Sequence, residues 1–139
     1  MTRRRIIEPG TTWALSRRTI RRYFLLNPDQ ARELEQCYWY CLGLAAQRFG
    51  VLVHAGCLMS SHSHEVVTDV HGVLPRFLQE FHRLLALTTK AVRGWPGVVF
   101  DKRSTGQHAL LSPEATIEAL AYLISNPVEA GAVRYARDW

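Results

Sequence analysis

Two histidines one residue apart, His62 and His64, stand in the run Cys57-Leu58-Met59-Ser60-Ser61-His62-Ser63-His64-Glu65-Val66-Val67. Strand side chains alternate between faces, so the two imidazoles share a face and can reach one metal ion or one phosphate. A bare H-x-H is a weak signal, and six histidines in 139 residues make one such spacing unremarkable. Context strengthens it: the pair opens a strand after an apolar run and a two-serine break, where a sheet would hold both ring nitrogens rigidly toward a divalent cation. A second segment follows fifty-eight residues after His64: Tyr122-Leu123-Ile124-Ser125-Asn126-Pro127-Val128-Glu129-Ala130-Gly131-Ala132-Val133.

The elements that must position these residues follow from periodicity and caps. Residues 11–16, β-branched and aromatic, read as a first strand followed by basic residues through Arg22. Asn27-Pro28-Asp29 predicts a helix start, with Ala31, Leu34, Tyr38, Leu42, Ala45 and Phe49 at helical spacing and Gly50 as the stop. Residues 51–59 are apolar on both faces, as in a central strand, and 62–68 alternate, which makes the two an antiparallel pair. A second helix is expected over 72–93, with Gly94-Trp95-Pro96-Gly97 ending it. Residues 98–111 read as a short strand and a mobile loop through Ser104-Thr105-Gly106. In the last helix Ser112 caps, Pro113 takes the first position, and Asn126 before Pro127 favours an exit. Its apolar stripe is predicted as Ile117, Leu120, Ala121 and Ile124, which leaves Tyr122 and Asn126 nearly opposite. Tyr122 is then outside the core, as a reactive tyrosine requires.

The chain length fits one domain spanning 1–139. No apolar run reaches membrane-spanning length, and the N-terminal arginines lack the apolar stretch of a secretory signal, so the expectation is a cytoplasmic protein with no membrane partner. Three cysteines, with Cys37 and Cys41 one helical turn apart, do not make a disulfide framework, and the helical pair reads as small buried hydrophobes more readily than as zinc ligands. Of a net charge of +5, seven arginines fall in the first 22 residues: Arg3, Arg4, Arg5, Arg17, Arg18, Arg21 and Arg22. Such a cluster is either a solvated basic edge or a set of forked donors to phosphate; beside the histidine pair, nucleic acid is the better reading.

The histidine segment and the segment from Tyr122 to Gly131 together resemble the HUH transposases of the IS200 type, and most closely the tyrosine transposases associated with repetitive extragenic palindromes. In that family a helix sequence Tyr-Ile-x-x-Asn-Pro-Val-x-x-Gly carries the nucleophile at its head, and this chain differs only in Leu123 for Ile. The histidine pair is usually preceded by Met-Pro-Asn or Met-Ser-Asn and split by a bulky residue; here Met59-Ser60-Ser61 precedes it and Ser63 splits it. Ser63 faces away from the shared face, so that departure bears on packing more than on chemistry. The resemblance implies an α+β fold, with a ferredoxin-like central antiparallel sheet and helices on one face. It implies Tyr122 as nucleophile, His62 and His64 as ligands of a divalent metal, Mg or Mn, and Asn126 as a further ligand; Asn126-Pro127 would serve equally as a plain helix stop. Single-stranded or hairpin DNA is the implied partner. The state is left open between monomer and homodimer, as is a further C-terminal tail, since family members often continue past the place where this chain has Arg137-Asp138-Trp139.

The implied reaction is metal-dependent single-strand cleavage and strand transfer through a 5′-phosphotyrosine. A phenol ordinarily titrates near 10, so metal proximity or Glu118 would have to help deprotonate Tyr122. Two rivals remain at this point: a domesticated or inactive DNA-binding module of the same fold, and a phosphodiesterase using the two histidines as acid and base.

Overall fold

The computed structural model describes residues 6–139, without the side chains at 103 and 104. In chain order the elements are β1 (Thr11–Thr19), α1 (Glu33–Phe49), β2 (Val51–Leu58), β3 (His62–Asp69), α2 (Leu74–Arg93), β4 (Phe100–Leu110) and α3 (Pro113–Glu129), with single 3₁₀ turns at Ile20–Arg22 and Ala136–Asp138. The four strands lie in the order β2-β3-β1-β4, and every neighbouring pair is antiparallel. That is the ferredoxin-like arrangement: α1 carries the chain from β1 past β3 to β2, and α2 carries it from β3 past β1 to β4.

The two crossover helices cover one face. Tyr38 and Leu42 of α1 and Phe77, Phe81 and Leu85 of α2 meet Trp13, Leu15 and Val67 of the sheet in the main core. Large side chains there each stabilise the fold by roughly 1.5–3 kcal/mol through burial. The third helix lies on the opposite face, where Leu123 packs on Cys57, Met59 and Val66 in a smaller cluster. Expecting helices on one face therefore describes α1 and α2, and α3 covers part of the other.

Local chemistry explains most boundaries. Asp69 at the end of β3 accepts from the backbone N–H groups of Val73 and Leu74 at 3.0 and 2.8 Å and so opens α2, and Gly94 closes it in the left-handed conformation. Ser112 caps α3 by accepting from Ala115 N at 3.1 Å.

Five expectations need correction. Asp29 serves the α1 N-terminus by accepting from Glu33 and Leu34 N–H, but from outside the helix, so α1 begins at Glu33 and not at Pro28. β1 continues through Arg17 and Arg18 because its partner β3 offers a ladder as far as His62. β2 is an edge strand; it is apolar on both faces because helices lie on both sides of it, not because strands flank it. The segment read as a short strand and mobile loop is one eleven-residue strand, β4, held by pairing to β1. Finally, α3 runs past Asn126 to Glu129 with Pro127 inside it, and its buried residues are Leu123, Asn126 and Pro127, while Ile117 and Ile124 are 66 % and 59 % exposed. Pro127 is buried, so tertiary packing overrides its tendency to end a helix.

Candidate active site

The paired histidines share a face of β3, with ring centroids 4.8 Å apart and planes nearly perpendicular. α3 crosses that face and sets the Tyr122 ring edge-on to His64, 5.6 Å between centroids, within the same chain. Tyr122 itself is 54 % exposed, so its hydroxyl-bearing ring is open to a ligand while touching the histidine.

The sheet register supplies the floor. Residues directly opposite in an antiparallel ladder point to the same face. Cys57 of β2 and Ser16 of β1 flank His64, Gly106 of β4 lies beyond Ser16, and Arg18 of β1 stands opposite His62. A register shift between Val53 and Ala55 turns Cys57 to this side. An added Cβ at Gly106 would collide with the Ser16 hydroxyl oxygen, so that hydroxyl would have to rotate away. The floor is thus small side chains and bare backbone beside two imidazoles and one guanidinium, a surface that admits a phosphodiester.

Electrostatics keeps the histidines neutral. Burial, then the neighbouring His62 charge, pushes the His64 imidazole down to about 4, and burial followed by Arg18 and Arg22 lowers His62. Neutral rings present a nitrogen lone pair, the form in which histidine binds a metal. Among the described residues no cluster of three or more His, Cys, Asp or Glu side chains could hold an ion, so further ligands must come from an amide or water. Asn126, one helical turn beyond Tyr122 and 9 % exposed, has only its Oδ1 to offer an ion; its Nδ2 is a donor, buried without a partner among the described residues, and does not bear on that role. Two neutral imidazoles and an amide fit a divalent cation that keeps several waters.

Of the arginines singled out in the sequence, Arg18 and Arg22 lie close enough to His62 to lower its pKa. Arg21 is exposed and, like Arg22, adopts a positive φ in the turn after β1. Arg17 leaves through the other face, under Phe100. Arg3, Arg4 and Arg5 lie outside the described residues. Ser16 and Gly106 were missed by sequence reasoning, because only the strand register brings them beside His64.

No family model matches the chain, and no curated protein is similar to it. Solved structures are. A REP-associated tyrosine transposase, determined bound to a REP hairpin, superposes with a TM-score of 0.80 at 19 % identity, over 100 % of this chain and 79 % of the other. The chain has the tyrosine-transposase fold. A protein from Deinococcus radiodurans R1, assigned as a transposase, gives 0.58 at 18 % identity over 88 % of this chain and 95 % of that one. Within the tyrosine-transposase fold of this chain, the histidine pair and the tyrosine helix converge on one sheet face.

Proposed function

We propose that the protein is a DNA transposase that cleaves and rejoins single-stranded DNA through Tyr122. The observation that carries this reading is the meeting of His62, His64 and Tyr122, far apart in sequence, at one partly open place on the sheet. Hairpin DNA is the substrate class, by analogy with the hairpin-bound structural neighbour.

In the reaction, the Tyr122 hydroxyl oxygen bonds to the scissile phosphorus and the bond from phosphorus to the 3′ oxygen breaks. The phenolic proton ends on the departing 3′ oxygen, leaving a free 3′-hydroxyl and a 5′-phosphate joined to the tyrosine. Attack by the 3′-hydroxyl of another strand reverses the step, so strand transfer needs no outside energy source. Arg18, opposite His62, offers its forked donors to the phosphate oxygens. His62 and His64, with Asn126 or water, would hold Mg or Mn, which when bound supplies positive charge against the charge developing on the phosphate. Because Tyr122 reaches His64 of its own chain, the site needs no second copy, which supports a monomer.

Covalent capture tests the reading. Labelled single-stranded DNA flanking a hairpin should form a metal-dependent, denaturant-resistant adduct with the protein. Binding without an adduct would mark a non-cleaving module, and hydrolysis without an adduct a phosphodiesterase; either result overturns the tyrosine mechanism.

A further inference from the structure

Arg17 and Arg18 are consecutive on β1 and so project from opposite faces. On the helix-covered face Arg17 lines a cavity of about 620 Å³ between α2 and the edge strand β4. Arg83, Lys90 and Lys102 line it too, and among the described residues no Asp or Glu does. The nearest acids are already engaged: Asp101 acts on Arg17, and Glu80 holds Arg83 through two hydrogen bonds of 3.0 Å. Arg17 is held in place, its Nη1 donating to Thr105 at 3.1 Å and its guanidinium 5.4 Å from the Phe100 ring centroid. Its Nε is nonetheless buried without a partner among the described residues, as is Nε2 of His82 in the same wall. Buried polar atoms are rarely left so, and each costs stability unless something meets it.

We propose that this groove holds the sugar-phosphate backbone of the same DNA whose phosphodiester lies at Tyr122, the strand passing round the β4 edge from one face to the other. Arg83 is already held by Glu80 and Arg17 feels Asp101, but Lys90 and Lys102 add positive charge to a lining with no acid among the described residues, which suits a polyanion, and the fixed Arg17 fork matches a phosphate. Only β4, about 5 Å of sheet, separates the edge from Arg18 at the active-site face. The identity of the DNA rests on the tyrosine reading; the groove's affinity for a backbone does not.

The test uses Lys90→Gln/Lys102→Gln, two side chains outside the core, and as a control Arg134→Gln/Arg137→Gln on the C-terminal segment. Binding of a fluorescent DNA hairpin with a single-stranded flank is followed by anisotropy across salt concentrations, without divalent metal and in a Tyr122→Phe background. The groove pair should flatten the slope of log affinity against log salt by about one to two units, and the control pair should leave it unchanged. An unaltered slope for the groove pair, or an equal flattening by the control pair, overturns the proposal. Cleavage plays no part in this readout, so a wild-type protein that forms no adduct refutes the tyrosine mechanism and leaves the groove standing.

Discussion

At the scale of single residues the proposed chemistry divides cleanly between Tyr122 and the histidines. Tyr122→Phe removes one oxygen from a half-exposed ring that buries little, so the covalent adduct should vanish while hairpin affinity stays within about twofold. His64→Ala removes a proposed metal ligand and the surface on which the tyrosine ring rests, so it should lower both metal affinity, by calorimetry, and adduct yield. An adduct that persists in Tyr122→Phe would assign the nucleophile to another tyrosine. The floor offers a second residue-scale test. Gly106→Ala forces a methyl against the Ser16 hydroxyl, and Ser16→Ala removes the oxygen it strikes. The single Gly106→Ala variant should lose stability and adduct yield, and the Ser16→Ala/Gly106→Ala double variant should recover part of both; a double variant no better than the single one places the fault elsewhere in β4.

β3 carries the site on one face and an unusual carboxylate on the other. Glu65 is wholly buried against α1, where Tyr38 donates to its Oε1 at 2.9 Å, a contact that Gly56 permits by having no Cβ in the way of the tyrosine hydroxyl. Burial raises the Glu65 carboxyl to about 7, well above its ordinary value of 4.5. A carboxyl whose folded pKa is raised contributes stability below the unfolded pKa and loses it as pH climbs through the folded one, here between 4.5 and about 7. The loss is about 1.4 kcal/mol per pH unit in that window. Glu65→Gln keeps the acceptor for Tyr38 and cannot ionise, so its melting temperature should exceed the wild-type value by several degrees at about pH 8 and by little or nothing at about pH 5. Thermal melts at the two pH values decide it: a constant difference would rule out a titrating Glu65. His82 on α2 acts at the other end of the scale, because burial followed by the Arg17 charge lowers it to about 3, and its share of stability is lost as pH falls from its ordinary 6.5 toward that value.

For the whole molecule the consequential arrangement is that one chain brings both halves of the candidate site together, Tyr122 against His64. Helix α3 returns over the sheet that carries the histidines, so Tyr122 and His64 of one copy meet without exchange of helices. Mixing His64→Ala with Tyr122→Phe should therefore give no adduct, since neither chain holds a whole site. Recovery of adduct in the mixture would show that two copies share their tyrosine helices.

The sequence by itself determined what local chemistry can settle. The His62-x-His64 spacing on a strand is enough to put both rings on one face, and the caps at Ser112, Gly50 and Gly94 place helix ends, because period and capping are properties of a few neighbouring residues. The family resemblance supplied the fold and the pairing of the histidines with Tyr122. The expectations that failed were relational. That β2 was central, that residues 98–111 held a short strand and a loop, and that the side of α3 carrying Ile117 and Ile124 faced inward were all overturned, because each depends on which surfaces come to lie against each other. Arg17 and Arg18 show the reason most directly: they form one basic cluster as a string, and the continuation of β1 along β3 sends one to the active-site face and the other to the groove beneath α2. Strand pairing assigns faces, and pairing is a long-range choice fixed by the burial of the whole core rather than by the residues on either side.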